Sequence, residues 1–388
     1  MKIAVIHSFY TGNQASGENA LVDNQIIMLR SKGHSVNLYS KVTELESTDK
    51  FYALKCLYRI LTRRGANFSS EIACFKPDLI LVHNLFPNIS SYWLRRIKIK
   101  KIFFLHNLRP WCSNGFMLRK SMPCNKCTKN SIWGTVHKCA NNKLLRSLIQ
   151  SLNQMLPSDL YLQQKNGAVI ATVSEQSKAQ VVKLEPRLKI ESIPNFTYTF
   201  QERFPKFASL DFDSNTQSKF VWVGRISHEK GLHKLLEIWP NKYCLDVIGN
   251  GPDFEKLKKS YSSNKNIEFL GYLSNLDVMR TLKGYRAMVN SSLWAEFGPL
   301  TVIEALACGL PVILTKSLPI SIAVIQSKAG LNYDITSKKT LTQCLDTMMD
   351  KELRENFSKS AVALHAESFS FEQWHKRIMQ IPFPNLQF

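Results

Sequence analysis

The sequence predicts an α/β protein built from two doubly wound, Rossmann-like domains that face each other across a cleft. Short apolar strands alternate with helical runs twice along the 388 residues. Some strands, such as Leu79–Val82, are apolar throughout, which is typical of a parallel sheet covered on both faces. The length of the chain also favours two domains over one large core.

The composition is that of a strongly basic globular protein. The chain has 51 Lys and Arg against 30 Asp and Glu, a net charge of +21, which favours an anionic partner. Nucleic acid, acidic lipid and a phosphorylated substrate all fit that description. A hydrophobic content of 44% with 21% charged residues excludes a disordered chain.

The first residues, MKIAVIHSFYTGN, have too short an apolar run for a signal peptide and lack its cleavage site. No uncharged apolar run approaches the roughly 18 residues of a membrane-spanning helix. We therefore expect the protein to stay in the cytoplasm, where its nine cysteines would be mostly reduced.

The chain opens with the elements of a doubly wound sheet. Residues 3–6 predict a strand, which is followed by a loop with Gly12 and Gly17, a helix that closes at Gly33, and a strand at 36–39. The loop does not contain G-x-G-x-x-G, so the dinucleotide-binding fingerprint is absent.

Two later strands, residues 79–82 and 102–105, each end in His-Asn. Polar residues at the carboxyl ends of parallel strands point into the cleft, so His106 is a candidate for contact with a bound substrate. The alternative is a structural imidazole whose hydrogen bonds are satisfied within the fold.

Residues 107–142 form an insertion without clear periodicity. It contains Cys112, Cys124, Cys127 and Cys139, with eleven residues between each outer cysteine and the central Cys-x-x-Cys. This spacing suits a structural zinc ion held by four thiolates, and His137 could replace one sulfur. A redox Cys-x-x-Cys and plain unpaired cysteines are the alternatives.

Residues 50–64, KFYALKCLYRILTRR, predict a basic amphipathic helix. Such a helix can lie on an anionic membrane surface, and a second basic run at residues 94–101 and the net charge favour that interpretation. An ordinary helix with a solvated basic face is the alternative.

The pattern divides the chain into domains. Residues 1–195 form the N-terminal, acceptor-side domain with its cysteine-bearing insertion, 196–218 form a linker of little regular pattern, and 219–368 form the second domain. In the second domain the strands KFVWVGRI, YCLDVIG, IEFLGYL, AMVNSS and PVILT alternate with helices.

The stretch from Ser291 to Pro311 carries two glutamates, Glu296 and Glu304, on either side of a Gly-Pro turn that leads into a helix. The free backbone N–H groups near Gly298, Leu300 and Thr301 and the helix dipole make a seat for an anion. A nucleotide sugar suits this arrangement, because each carboxylate can accept hydrogen bonds from sugar hydroxyls. A solvated glutamate beside an ordinary amphipathic helix is the alternative.

Two cations stand where the first strand of the second domain turns into its helix. Arg225 and Lys230 would lie beside the anion seat and could hold a diphosphate without a divalent metal. Solvated side chains on a basic protein are the alternative.

The motifs GRISHEKG, LDVIGNGP, IEFLGYL and SSLWAEFGPLTVIEALACGLPVI, in this order, resemble the C-terminal domain of the retaining GT-B glycosyltransferases of family 4. The resemblance implies that Arg225 and Lys230 bind the donor diphosphate, that Glu304 binds the ribose, and that Glu296 binds the transferred sugar. It further implies donor contacts for the backbone of Gly298, Leu300 and Thr301, for the base-receiving loop Gly271, Tyr272 and Leu273, and for His106 beside the hexose.

The N-terminal half resembles the family more thinly. The family's paired-glycine loop is reduced to Gly17 within ASGEN, and Asn107 stands where an Asp is frequent. The ending FSFEQWHKRI, within residues 369–388, resembles the family's last helix, which crosses back to the first domain.

The resemblance therefore implies a retaining, metal-independent glycosyltransferase with no catalytic cofactor. It would use a UDP- or GDP-sugar and a glycan or lipid-linked glycan acceptor, on the inner face of the cytoplasmic membrane. The cysteine-bearing insertion resembles one in members that assemble bacterial surface polysaccharides. A basic nucleic-acid-binding protein with a zinc knuckle, and a catalytically silent sugar-binding module, are the alternatives; nucleic acid is disfavoured because the aromatic residues fall mostly at positions predicted to be buried.

Overall fold

The computed structural model describes residues 1–10, 17–140, 142–155, 159–199, 202 and 218–381. The chain divides into two compact units, with Met1–Pro194 and Arg377–Phe388 in unit 1 and Asn195–Lys376 in unit 2. Gly12 of the predicted glycine loop, most of the predicted linker and residues 382–388 lie outside the described residues.

Unit 1 is built on a six-stranded sheet in which every pair of neighbouring strands is parallel, with the order β2-β1-β3-β4-β7-β8. The central strands are buried because they are apolar on both faces. A two-stranded antiparallel hairpin, β5 and β6, lies in the insertion. The strands are β1 Lys2–Phe9, β2 Ser35–Val42, β3 Leu79–Val82, β4 Lys100–Leu105, β5 Leu118–Arg119, β6 Met122–Pro123, β7 Ala168–Thr172 and β8 Ile190–Ser192.

The helices of unit 1 follow the predicted alternation. Two helices, α7 and α8, follow the insertion, and residues 156–158 between them lie outside the described residues. The helices are α1 Gly17–Ser31, α2 Thr43–Ser47, α3 Tyr52–Thr62, α4 Ser69–Phe75, α5 Lys126–Lys129, α6 Ile132–Val136, α7 Leu144–Met155, α8 Asp159–Lys165 and α9 Glu175–Leu184, with a 3₁₀ turn at Tyr92–Arg96.

Unit 2 contains a second parallel six-stranded sheet with the order β11-β10-β9-β12-β13-β14. The chain runs outward from β9 to β11 and then returns to the other side of β9, so strand order reverses between β9 and β12. Ligands of doubly wound sheets bind beyond the carboxyl ends of the strands at such a reversal. The strands are β9 Phe220–Val223, β10 Leu245–Ile248, β11 Ile267–Gly271, β12 Met288–Val289, β13 Val312–Thr315 and β14 Gly330–Tyr333.

Helices cover both faces of this sheet. Successive residues of a strand point to opposite faces, so each strand contributes side chains to two hydrophobic cores. Phe220 and Trp222 of β9 belong to one core and Val221 to the other. The predicted fold class, α/β with two doubly wound, Rossmann-like domains, is confirmed. The helices are α10 Leu232–Ile238, α11 Phe254–Ser260, α12 Asn275–Leu282, α13 Leu300–Ala307, α14 Ser321–Gln326, α15 Lys338–Met349, α16 Lys351–Leu364 and α17 Phe371–Gln380.

The first residues of the predicted linker are packed within unit 2. Phe196 is fully buried, and its ring centroid lies 5.1 Å from that of Phe371 and 5.0 Å from that of Trp374, both on α17. The backbone N–H of Thr197 donates to the carbonyl of Phe369 at 3.1 Å. By the division of the chain, α17 begins in unit 2 and ends in unit 1.

The second basic run, residues 94–101, exposes Arg96, Lys98 and Lys100, whereas its other two cations are withdrawn from solvent. Lys101 is fully buried, its Nζ donates to the carbonyls of Ile97 and Ile99, and burial lowers its pKa to about 8. Arg95 is paired with Asp159. None of the described helices combines the length and the apolar character that a bilayer crossing demands.

Candidate functional site

The loops that follow β9 and β12 are joined by an ion pair. Lys230 Nζ lies 2.6 Å from Glu296 Oε2, and the Glu296 residue is only 5% exposed. The other carboxylate oxygen, Oε1, is buried without a hydrogen-bond partner among the described residues. The two loops stand where strand order reverses, so the pair lies at the position at which this type of sheet binds ligands.

The backbone of the two loops is held together at very close range. Ser291 Oγ donates to the carbonyl of Lys230 at 2.8 Å and accepts from Trp222 Nε1 at 2.9 Å. Gly231 has φ +70°, and a Cβ there would lie 2.0 Å from the carbonyl oxygen of Ser291. Glycine is therefore required for Lys230 to be placed against the second loop.

Arg225, the other predicted cation, is tied within its own loop. Its Nη2 lies 2.5 Å from Glu229 Oε1, which also accepts from Ser227 Oγ at 2.7 Å. Burial alone would raise the pKa of Glu229, but Arg225 and the hydrogen bonds outweigh it and the pKa is lowered. The sequence reasoning missed Glu229, although it lies four residues after Arg225 in the same loop.

A helix begins where the sequence predicted an anion seat. The helix α13 begins at Leu300 after Pro299, and no side chain caps its N-terminus. Gly298 is held by a residue far away in sequence, because Asn195 Nδ2 donates to its carbonyl at 3.1 Å. The backbone N–H groups of Leu300 and Thr301 thus stand at the positive end of the helix dipole, on the segment that follows Glu296.

Glu304 lies in the middle of α13 and faces α12. Its Oε1 accepts from Asn275 Nδ2 at 3.1 Å, and Asn275 Oδ1 in turn accepts from Tyr198 OH at 2.7 Å. Burial raises the pKa of Glu304 to about 6. Asn275 and Tyr198 had no sequence signal, since both act through contacts with residues far away in the chain.

The predicted base-receiving loop follows β11. Gly271 ends the strand with φ +76°, and its carbonyl accepts from the N–H of Gly249 at 2.7 Å. Tyr272 is 65% exposed, whereas Leu273 packs partly against the core. The loop therefore presents an aromatic ring to solvent beside the ends of β10 and β11.

In unit 1, three histidines lie near the carboxyl ends of three neighbouring strands: His7 in β1, His83 after β3 and His106 after β4. His83 Nδ1 and His106 Nε2 are 2.9 Å apart, and the His7 ring centroid lies 6.1 Å from that of His83. Burial lowers the pKa of His106 to about 4 and that of His83 well below its ordinary value. These imidazoles are therefore neutral at physiological pH.

A second polar group stands at the same edge of unit 1. Arg109 Nη1 donates to the hydroxyl of Tyr10 at 2.5 Å, and that hydroxyl lies 3.4 Å from Glu18 Oε2. Burial raises the pKa of Glu18. Gly17, the remnant of the paired-glycine loop, begins α1 and is exposed next to this group.

The four cysteines of the insertion line one small cavity, together with residues that include Trp111, Met117 and Arg119. A hydrogen bond between the Cys112 and Cys127 side chains lowers the pKa of Cys127 to about 6 and raises that of Cys112. His137, the alternative fourth ligand, does not line the cavity: its Nδ1 faces Arg119 Nη2 at 3.2 Å and its ring stacks on Trp133.

Known proteins share this fold and parts of this sequence. Residues 208–363 match the family model of glycosyl transferases group 1. An O-antigen biosynthesis glycosyltransferase of Escherichia coli, WbnH, is 31% identical over 101 residues, which is 26% of this chain and 29% of the relative. The match thus spans less than a third of that relative's length.

Two solved structures cover almost the whole chain. Sucrose-phosphate synthase from Thermosynechococcus elongatus has a TM-score of 0.66 at 15% identity, over 98% of this chain and 97% of that one. Anabaena HepE, solved in complex with UDP and glucose, has a TM-score of 0.59 at 13% identity, over 98% of each chain. At these identities the likeness concerns the fold. The chain thus has the fold of the GT-B glycosyltransferases, and its residues 208–363 match glycosyl transferases group 1.

Proposed function

We propose that this protein is a retaining glycosyltransferase that moves a sugar from a UDP- or GDP-sugar to a glycan or lipid-linked glycan acceptor in surface polysaccharide biosynthesis. The single observation that carries the proposal is the Lys230–Glu296 pair, which puts a cation and a buried carboxylate side by side at the strand-order reversal. The matching family and the O-antigen enzyme WbnH support the reaction class and the pathway.

The unpartnered oxygen of Glu296 favours a hydroxyl-bearing ligand. A buried carboxylate oxygen without a donor costs free energy that a ligand hydroxyl can recover. Lys230 neutralises the same carboxylate while remaining 26% exposed, so its ammonium group is available to a phosphate. A sugar diphosphate offers both groups in one molecule.

In the proposed reaction the bond between the anomeric carbon and the diphosphate oxygen breaks as the acceptor oxygen attacks from the same face. The proton of the acceptor hydroxyl passes to the departing diphosphate oxygen, so no separate base is required. Lys230, Arg225 and the amides at the start of α13 offset the negative charge that grows on the leaving group. These groups supply the positive charge, so catalysis is expected to be independent of a divalent metal.

The remaining roles follow the chemistry of each side chain. Glu296 positions hydroxyls of the transferred sugar and stabilises positive charge on its ring, without acting as a nucleophile. Glu304, ionised, accepts hydrogen bonds from the ribose hydroxyls. The neutral His106 is assigned to hydrogen bonding with the hexose, for which its lowered pKa suits it.

We assign the protein to the inner face of the cytoplasmic membrane, where a lipid-linked acceptor would be found. The exposed face of α3 and the residue before it carries Phe51, Leu54, Tyr58 and Leu61, each more than half exposed. Cys56 and Ile60 on the opposite face of α3 are buried against α7. We call the exposed side chains the α3 apolar face.

Exposed basic residues flank the α3 apolar face along the chain. Lys50, Lys55 and Arg64 are exposed next to it. Apolar side chains that enter the headgroup region, with cations beside them, complement an anionic bilayer. The helix α7 also exposes Leu144, Leu145 and Leu148.

Thermal-shift measurements with UDP-, GDP- and ADP-sugars test the proposed activity. A donor that binds only the folded protein must raise its melting temperature, and we expect UDP- or GDP-sugars to do so. Release of the nucleotide diphosphate on addition of acceptor glycans then distinguishes an enzyme from a silent sugar-binding module. Salt-sensitive oligonucleotide binding without any response to nucleotide sugars would instead support the nucleic-acid alternative.

A further inference from the structure

We propose that the insertion of unit 1 is a structural zinc site whose ligands are the thiolates of Cys112, Cys124, Cys127 and Cys139. The site lies outside the donor-binding residues and has no part in the proposed transfer reaction. Three observations support this assignment: the four side chains line one cavity, hydrogen bonds hold the surrounding loops in place, and the insertion offers sulfur ligands but no carboxylates.

The fold brings together cysteines that are far apart in sequence. The hairpin β5–β6 reverses the chain, and the N–H of Cys124 donates to the carbonyl of Met117 at 2.7 Å. Met117 is only five residues after Cys112, so the hairpin brings Cys124 back toward Cys112. The N–H of Cys139 donates to the carbonyl of Gly134 at 2.9 Å. All four cysteines consequently line the same cavity.

One side chain ties the segment with Cys112 to the hairpin. Asn114 Nδ2 donates to the carbonyl of Leu118 at 2.8 Å, and Asn114 Oδ1 accepts from the N–H of Phe116 at 2.9 Å and from the Cys112 thiol at 3.0 Å. The loop that carries Cys112 is therefore held against β5, the strand that leads through the hairpin to Cys124.

The choice of metal follows from the donors available. Residues 107–142 contain six Lys and Arg and no Asp or Glu, so hard cations such as Ca²⁺ and Mg²⁺ find no carboxylate. Four thiolates suit tetrahedral Zn²⁺, and the net charge of −2 on such a centre is offset by nearby cations such as Arg119 and Lys126.

The sulfurs do not yet surround a common point. Within the described part of the chain, no three or more His, Cys, Asp and Glu side chains are arranged to hold a metal ion. Zinc binding must therefore draw the four sulfurs together, and each thiol loses its proton to solvent as its sulfur binds the metal. Few apolar side chains of the insertion are buried, so we expect the metal to contribute the folding free energy that hydrophobic burial does not supply there.

Metal analysis of the purified protein tests the proposal without using enzyme activity. Protein prepared without chelators should contain about one zinc per chain, and a mercurial that attacks thiolates should release it to a chromogenic chelator. Substitution by Co²⁺ should give the absorption of a tetrahedral thiolate site. These measurements use the wild-type chain, so they remain decisive if a cysteine variant fails to fold.

Variants identify the ligands. The double variant Cys124→Ser/Cys127→Ser should lose the zinc, whereas Cys74→Ser, which alters an exposed cysteine outside the insertion, should keep it. Zinc that persists in the double variant, or that is lost equally in Cys74→Ser, overturns the assignment. Purified protein without zinc also overturns the assignment. This holds whether a thiol reagent detects all nine cysteines or two of them are missing because they form a disulfide.

Discussion

Lys230 and Glu296 form an ion pair of 2.6 Å between two loops that are 66 positions apart in sequence. The pair leaves one oxygen of Glu296 without a partner among the described residues, in a side chain that is almost fully buried. We infer that this oxygen and the Lys230 ammonium group receive the sugar and the diphosphate of the donor.

Replacement of Lys230 should therefore impair catalysis strongly. Lys230→Met removes a charge that stabilises the leaving group, so kcat/KM should fall about 100- to 1000-fold. Lys230→Arg keeps the charge and should retain part of the activity. Lys234→Met, which removes a cation of an exposed pair with Glu237, serves as the matched control and should leave the steady-state kinetics near wild type.

The raised pKa of Glu304 predicts a pH dependence of donor binding. Below about pH 6 this carboxyl takes up a proton and can no longer accept two hydroxyl hydrogen bonds, so the KM for the donor should rise by about tenfold per pH unit. Glu304→Gln should weaken donor binding at neutral pH and remove this acid-side rise. A rise that persists in Glu304→Gln would assign the titration to another group.

The same shift predicts the direction of a stability effect. Because the pKa of Glu304 is raised in the folded state, its contribution is most favourable when protonated and is lost as pH increases through about 6. The wild type should therefore lose melting temperature relative to Glu304→Gln between pH 5 and pH 7, measured by calorimetry at both values. Parallel curves for the two proteins contradict the assigned burial.

His106 should act as a neutral imidazole. Its pKa of about 4 predicts that its ring resonances do not titrate between pH 5 and pH 8 in NMR spectra of the whole chain. His106→Ala should lower kcat without changing the shape of the pH profile above pH 5. A His106 resonance that titrates above pH 6 would contradict the buried arrangement with His83.

Two glycines of unit 2 allow the cost of a positive φ to be measured separately from the cost of a steric clash. Gly231 and Gly271 have similar positive φ values, +70° and +76°, so alanine at either should cost roughly 1–2 kcal/mol. Only at Gly231 does the new Cβ meet a backbone atom, the carbonyl oxygen of Ser291. Gly231→Ala should therefore lose about 1–3 kcal/mol more than Gly271→Ala in urea unfolding. Equal losses would show that the two loops are not in the described contact.

The α3 apolar face should determine membrane association. Leu54→Glu with Leu61→Glu removes two exposed apolar side chains and adds negative charge, so binding to vesicles rich in phosphatidylglycerol should fall at least about tenfold in sedimentation assays. Leu353→Glu, a similarly exposed leucine of unit 2, is the control and should bind as the wild type does. Unchanged binding by the double variant would place the contact elsewhere.

The fold was largely accessible from the sequence, because buried parallel strands are short apolar runs and the helices between them carry turn signals. Leu79–Val82 was predicted with the bounds that the structure shows. β14, Gly330–Tyr333, was not assigned, because an edge strand is only half buried and its sequence GLNY lacks an apolar run.

The site was only partly accessible. Lys230 and Glu296 were predicted to be close, since each follows a strand of one sheet, and the structure places them in contact. The partners Asn275 and Glu229 were missed because a single Asn or Glu has no pattern that marks it. The buried state of Lys101 was missed as well, since a basic run does not reveal that one lysine turns inward to carbonyl groups.

Calorimetric titration of UDP and GDP into the wild type, Arg225→Met and Lys230→Met tests the donor site most directly. We predict that one of the two nucleotides binds the wild type, and that each variant loses at least about tenfold in affinity because a charged contact to the diphosphate is gone. Equal affinity in all three proteins, or no binding of either nucleotide to the wild type, would contradict it.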